Sequence, residues 1–239
     1  MASPDSSIIE LRGVSRFPPR SERPIESAVR EIDFRVAPGS WLRLDGPAGG
    51  GKELLFRLLS LTENADAGEV IVESQPCHLL APPEAAELRA RKFGFLAAAP
   101  FLIPTFSAIE NIAVPLLKIS RITMPEAQDR ISDLLSFTGL AGQEERPACE
   151  LSALDQARLV LARALANRPL ALFVEDLGAN LARDEKAVLH ALLRRHCEIH
   201  ELAVITLNGK AGATADDRCV EIVDGRIERD SVLLGSPIS

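Results

Sequence analysis

The chain has 239 residues, 46% of them hydrophobic, enough apolar material for one globular domain with a full core. A formal net charge of −7 leaves no basic face of the kind that broad nucleic-acid binding needs, so no nucleic-acid partner is expected. No apolar run approaches a membrane span, the polar start Met1-Ala-Ser-Pro-Asp-Ser-Ser7 lacks a signal-peptide pattern, and Cys77, Cys149, Cys197 and Cys219 lack C-x-x-C spacing and read as buried free thiols.

Residues 8–17 and 29–36 alternate as two antiparallel strands, with a Pro- and charge-rich loop at 18–26. A strand at 41–45 feeds a glycine-rich loop, and Lys52 to Leu61 is the helix that follows. Ala67-Gly68 reads as a turn before a strand at 69–73; a helix at 84–91 precedes a short strand at 93–96. Residues 100–106, apolar and broken by two prolines, form a loop with exposed greasy side chains. Amphipathic helices are predicted over Pro125–Phe137 and Leu151–Asn167. The continuous apolar run 170–174 predicts a strand buried on both faces. A helix at 183–197, a strand at 202–207 and a hairpin over 218–229 turning at Asp224-Gly225 complete the chain. Strands alternating with helices predict a mostly parallel sheet flanked by helices. His190, His196 and His200 have no adjacent acid of the H-E-x-x-H kind and read as a solvated helix face.

The chemistry concentrates at Gly46, Pro47, Ala48, Gly49, Gly50, Gly51 and Lys52, which satisfy the phosphate-binding pattern G-x-x-x-x-G-K-[ST] up to its last letter. Residues without bulk let backbone N–H groups turn toward a phosphate, and Lys52 supplies a point charge. The next residue is Glu53, where the pattern has the hydroxyl that ligates Mg²⁺. Two like unit charges about 4 Å apart cost on the order of 4 kcal/mol at an effective dielectric of 20, so Glu53 opposes a bound triphosphate. Two other roles stay open for it: direct ligation of the metal, or an ion pair with Lys52 in the first, dipole-favoured turn of a helix.

In order, the glycine loop, Gly94-Phe95-Leu96, Leu102-Ile-Pro-Thr105, Ala108-Ile-Glu-Asn111, Glu150-Leu-Ser152, Gln156 with Arg158, Ala162 to Asn167 and Asp224-Gly-Arg-Ile227 resemble the nucleotide-binding domain of ABC transporters, specifically the LolD/MacB/FtsE group. The resemblance spans roughly residues 8–230. It implies one P-loop NTPase cassette: an α/β core with an antiparallel β subdomain over about 8–98 and 168–230, and an inserted α-helical subdomain over about 99–167. It further implies ATP and Mg²⁺ as ligands, a homodimer or a heterodimer with another cassette, and a transmembrane permease subunit as partner. The expected location is cytoplasmic, peripheral on the inner face of the membrane.

Held against that family, the chain departs at each chemical position. Ala98 stands where the family has a glutamine. The signature aligns with Leu151-Ser-Ala-Leu-Asp155, where Leu154 fills the space of a glycine and Asp155 adds a negative charge; Ser152 and Asp155 also match a helix-capping S-x-x-D pair. The Asp-Glu pair expected after the buried strand is Glu175-Asp176, reversed; a misplacement near 1 Å costs ~10²-fold in rate. Ala182 and Leu207 replace an aspartate and a histidine. Phe17, or in another alignment Pro18, takes the place of the adenine-stacking aromatic. Glu53 and Glu175 are the candidate metal ligands, and Phe101, Leu102, Ile103 and Phe106 the candidate permease contacts. Arg43 and Asp45 share a strand face that is otherwise apolar, and are expected to pair with each other or with a neighbouring subdomain. The expected function is a transporter's ATP-binding subunit with impaired or lost hydrolysis. Two readings compete: an atypical ATPase using Glu53, Glu175 and Asp176, and a non-transport scaffold.

Overall fold

The computed structural model describes residues 7–17, 28–97, 101–119, 122–176, 178, 181–207 and 217–231. The strands are β1 (Ile9–Arg16), β2 (Val29–Val36), β3 (Trp41–Asp45), β4 (Ala67–Val72), β5 (Gln75–Pro76), β6 (Phe93–Leu96), β7 (Ala171–Val174), β8 (Ala203–Leu207), β9 (Arg218–Val223) and β10 (Arg226–Asp230). The helices are α1 (Lys52–Leu59), α2 (Pro82–Lys92), α3 (Ala108–Ile119), α4 (Met124–Thr138), α5 (Ala153–Leu165) and α6 (Arg183–His200). They build two sheets: an antiparallel one ordered β2-β1-β4-β5, and a six-stranded one ordered β10-β9-β3-β8-β7-β6, parallel throughout except for the antiparallel β10. This is the α/β architecture expected from the sequence.

Alternation divides the apolar residues between the two faces of the parallel sheet. Leu42, Leu44, Phe173, Ile205 and Ile222 bury on one face together with α1 and the inner face of the antiparallel sheet. Leu172, Val174, Val204 and Leu96 bury on the other with α3, α4, α5 and α6. All four residues of β7 are buried, as its unbroken apolar run requires. Phe173 anchors the first layer, with ring centroids 5.3 Å from Phe56 of α1 and 5.1 Å from Phe93 of β6.

Several boundaries and roles differ from the sequence reading. Ala67-Gly68 lies inside β4, where Ala67 pairs with Ser15 across a bulge and Gly68 takes a positive φ of 85°. Residues 108–119 form α3, which the apolar pattern alone did not reveal. Ser107 caps it: Glu110 N–H donates to Ser107 Oγ (3.3 Å), and Ser107 N–H to Glu110 Oε2 (2.7 Å). His196 is buried on α6 rather than solvated, its ring 5.2 Å from Phe137 of α4 and 4.3 Å from His200. Cys77 and Cys197 are buried thiols, but Cys149 is exposed and Cys219 half-buried. Burial pushes the Cys197 thiol up to about 12. No helix among the described residues is long and apolar enough to cross a membrane.

Candidate functional site

The glycine loop sits at the carboxyl end of β3, where an open parallel sheet places ligands. Gly51 caps α1 at φ 107° and, having no side chain, leaves the first-turn N–H groups of α1 without a capping bond. The loop packs against backbone on its far side. A Cβ on Gly46 would lie 2.2 Å from Ile222 O, and one on Gly50 2.7 Å from the same atom. The β9–β10 turn holds it: Gly225 N–H donates to Gly50 O (2.8 Å), while Arg30 N–H of β2 donates to Gly225 O (2.9 Å).

Lys52 is buried and its Nζ donates to Gly46 O, closing the loop on itself. Glu53 Oε1 lies 3.9 Å from Nζ, the ion-pair arrangement among the three roles weighed for this carboxylate. The side chain of Glu53 is 41% exposed, that of Lys52 only 7%. Phe17 is half exposed at the end of β1; its N–H donates to Asp66 Oδ2 (2.7 Å), and the Arg30 guanidinium stands 5.6 Å from its ring centroid. That backbone bond, followed by the Arg16 guanidinium, holds the Asp66 carboxyl below the usual range against the opposing effect of burial. Pro18, the alternative aromatic position, and Ala98 lie outside the described residues.

Beyond β7, Glu175 N–H donates to Leu96 O (3.0 Å), and both Glu175 and Asp176 expose their side chains. His190 of α6 lies within the field of Asp176, with both ring nitrogens buried and unpartnered among the described residues. Burial, then Arg194 and Lys186, hold its pKa below the ordinary value, with Asp176 opposing. Glu53, Glu175 and Asp176 do not come together as a group of three or more ligands able to hold a metal among the described residues. The fit to Mg²⁺ is poor on the chemistry of position 53: the hydroxyl ligand is absent and the replacing carboxylate faces an ammonium.

The signature region is organised for its own helix. Asp155 N–H donates to Ser152 Oγ (3.1 Å), and Ser152 Oγ–H donates to Asp155 Oδ2 (2.8 Å). Arg158 Nη1 donates to Asp155 Oδ1 (2.9 Å) and Gln143 Nε2 to Oδ2 (3.3 Å). Burial pushes the Asp155 carboxyl up, but the bonds from Ser152, Arg158 and Gln143 outweigh it and hold the group ionised. Leu154 is half-buried against the helical core. Both the hydroxyl and the charge at this helix start are committed within the chain.

Phe101 is 72% exposed and Phe106 37%, while Leu102 and Ile103 are half-buried. Fully buried Asn111 of α3 pins this segment: Ile103 N–H donates to its Oδ1 (2.9 Å), and its Nδ2 donates to the carbonyls of Ile103, Phe106 and Ser107 at 3.1–3.2 Å. On β3, Arg43 Nε lies 3.8 Å from Asp45 Oδ2, and Nη2 donates to Cys219 Sγ (3.1 Å). These residues line a cavity of about 450 Å³ with Gly46 and Glu221. The holding roles of Asn111, Asp66 and Gly225 were missed from sequence. Ser107-x-x-Glu110 is a capping pattern that could have marked the start of α3, and Asp224-Gly225 signalled a turn, but nothing local placed that turn against the glycine loop.

The sequence matches the ABC transporter family over residues 29–176. It is 34% identical to the lipoprotein-releasing system ATP-binding protein LolD 2 of Caulobacter vibrioides, over 94% of this chain and 98% of that protein. It is 29% identical to the macrolide export ATP-binding/permease protein MacB of Mannheimia succiniciproducens, over 94% of this chain but only 35% of that longer protein. Among solved structures, the dimeric cassette MJ0796 bound to ADP and phosphate superposes with a TM-score of 0.77 at 23% identity, covering 93% of this chain and 97% of that one. The cbiO1 cassette of Clostridium perfringens superposes at 0.79 and 16% identity, covering 94% and 88%. With the glycine loop, signature helix and two-sheet architecture in their places, the chain belongs to the ABC transporter family, as an ATP-binding cassette of the LolD and MacB type.

Proposed function

We propose that this chain is the nucleotide-binding, non-hydrolysing cassette of a membrane transporter related to the lipoprotein-releasing and MacB-like export systems. It comprises an α/β core with its antiparallel sheet (about 8–98 and 168–230) and a helical subdomain (about 99–167). It works at the inner membrane face, docked on a permease through Phe101 and Phe106 and paired with a second cassette. The observation that carries the loss of hydrolysis is the ionised Asp155 at the signature, with the Ser152 hydroxyl already bonded to it. In cassettes that pair head to tail, a signature meets the partner's nucleotide, and a carboxylate there repels its terminal phosphate. The reversed, exposed Glu175 and Asp176 add to the loss, because phosphoryl transfer depends on positioned charge.

Phosphate release from Mg·ATP by purified protein is the test. Wild type should not exceed Lys52→Ala, and Glu175→Gln and Asp176→Asn should leave the trace unchanged. Turnover that depends on Lys52 and falls in either carboxylate variant establishes the atypical ATPase instead. Docking is tested by co-purification with a permease subunit, which Phe101→Ser with Phe106→Ser should weaken; membrane-free protein with no such partner leaves the scaffold reading standing.

A further inference from the structure

On the reading of the glycine loop as a nucleotide site, we infer that the loop takes a nucleoside diphosphate free of divalent cation and discriminates against Mg·ATP. A phosphate-binding loop makes a separate provision for each phosphate. Backbone N–H groups cradle the α- and β-phosphates, the lysine reaches the β- and γ-phosphates, and the hydroxyl after the lysine holds Mg²⁺. This chain keeps the glycines of the first and the lysine of the second, although Lys52 is turned onto Gly46 O and Glu53. Gly51 opens α1 with no capping side chain, and the bends at Gly46, Gly49 and Gly51 all lie at positive φ. The backbone part of the cradle, which serves the α- and β-phosphates, is therefore kept.

The third provision is inverted. Glu53 presents a carboxylate where the pattern has a neutral hydroxyl, and a third phosphate brings more negative charge toward it. Lys52 is poorly placed to offset this. Its ammonium is buried, donates to Gly46 O and faces Glu53, so its charge is already partly neutralised within the loop. A divalent cation taking Glu53 as a ligand would compete with Lys52 for the carboxylate and lie near its ammonium. Among the described residues, Glu53, Glu175 and Asp176 form no group of three ligands. The disagreement with Mg²⁺ and the preference for the shorter polyphosphate thus have one cause, the side chain at position 53.

Titration calorimetry of the full chain with ADP and with ATP, each in EDTA and in MgCl₂, tests this on wild type, Glu53→Ser and Lys52→Ala. In EDTA, wild type should bind ADP about tenfold more tightly than ATP, and Mg²⁺ should change neither affinity by more than about twofold. Glu53→Ser should abolish the preference and make ATP binding Mg²⁺-dependent. Wild-type ATP binding that tightens tenfold with Mg²⁺ overturns this inference and leaves the nucleotide reading intact. If wild type binds neither nucleotide while Glu53→Ser binds Mg·ATP, Glu53 closes the loop altogether, and the diphosphate preference is wrong. If neither protein binds, or Lys52→Ala binds as wild type does, the nucleotide reading falls as well. Circular dichroism of each variant separates loss of binding from loss of fold.

Discussion

His196 ties the stability of this protein to pH. Burial first, then the positive charge of His200 and Arg130, lower its pKa to about 4, against about 6.5 in an unfolded chain. Between those values the unfolded chain holds a proton that the folded one refuses, so stability falls as pH drops through this window and is unaffected above it. The slope contributed is at most about 1.4 kcal/mol per pH unit. His196→Leu keeps the contact with Phe137 and removes the proton. Urea unfolding at pH 7.5, 6 and 5 should show the variant losing less stability toward acid than wild type; parallel losses would mean that other groups carry the dependence. Asn111 acts at the same scale without titrating. Asn111→Leu takes the acceptor from the Ile103 N–H, while the three carbonyls keep the backbone N–H groups of Phe106, Ala148 and residue 111, at a cost of about 1–3 kcal/mol. A melting temperature unchanged from wild type would show that water replaces those bonds.

The glycine loop owes its shape to an element remote in sequence. Its own residues supply freedom to bend, but the β9–β10 turn chooses the bend through Gly225, which bonds Gly50 on one side and Arg30 on the other. A Cβ at Gly225 would lie 1.6 Å from Ala28 O, and φ there is 77°. Gly225→Ala must therefore push the turn off β2 and release the loop. Stabilisation by saturating nucleotide is about 2.7 kcal/mol at a hundredfold excess over Kd. The variant should lose most of that ligand-induced rise in Tm, beyond any fall in the Tm of the free protein. An equal nucleotide-induced rise in variant and wild type would show that the loop keeps its form without the turn.

For the molecule as a whole, the parallel sheet was legible because buried strands such as 171–174 announce themselves by unbroken apolar runs, and the loop because its glycines and lysine are contiguous. What stayed hidden depends on tertiary pairing: α3 with its interior Pro115, the bulge that takes Gly68 into β4, and the side chains that join one layer to another. Arg218 is the clearest of these. It opens β9, binds buried Asp230 through Nε and Nη2 at 3.0 and 2.6 Å, lies 4.4 Å over the Phe34 ring of β2, and donates to Arg35 O. One guanidinium thus fastens the antiparallel sheet to the edge of the parallel sheet. Lysine retains the charge but cannot form the fork or cover the ring in the same way. Arg218→Lys should cost about 2 kcal/mol, while Arg218→Ala, leaving Asp230 buried with its main cationic partner gone, should cost about 3–5 kcal/mol. If the two sheets rely on this contact to unfold together, hydrogen exchange in Arg218→Ala should quicken first in β1, β2 and β4 while β3, β7 and β8 stay protected. Uniform quickening across both sheets would instead assign their cooperativity to the shared apolar layer around α1.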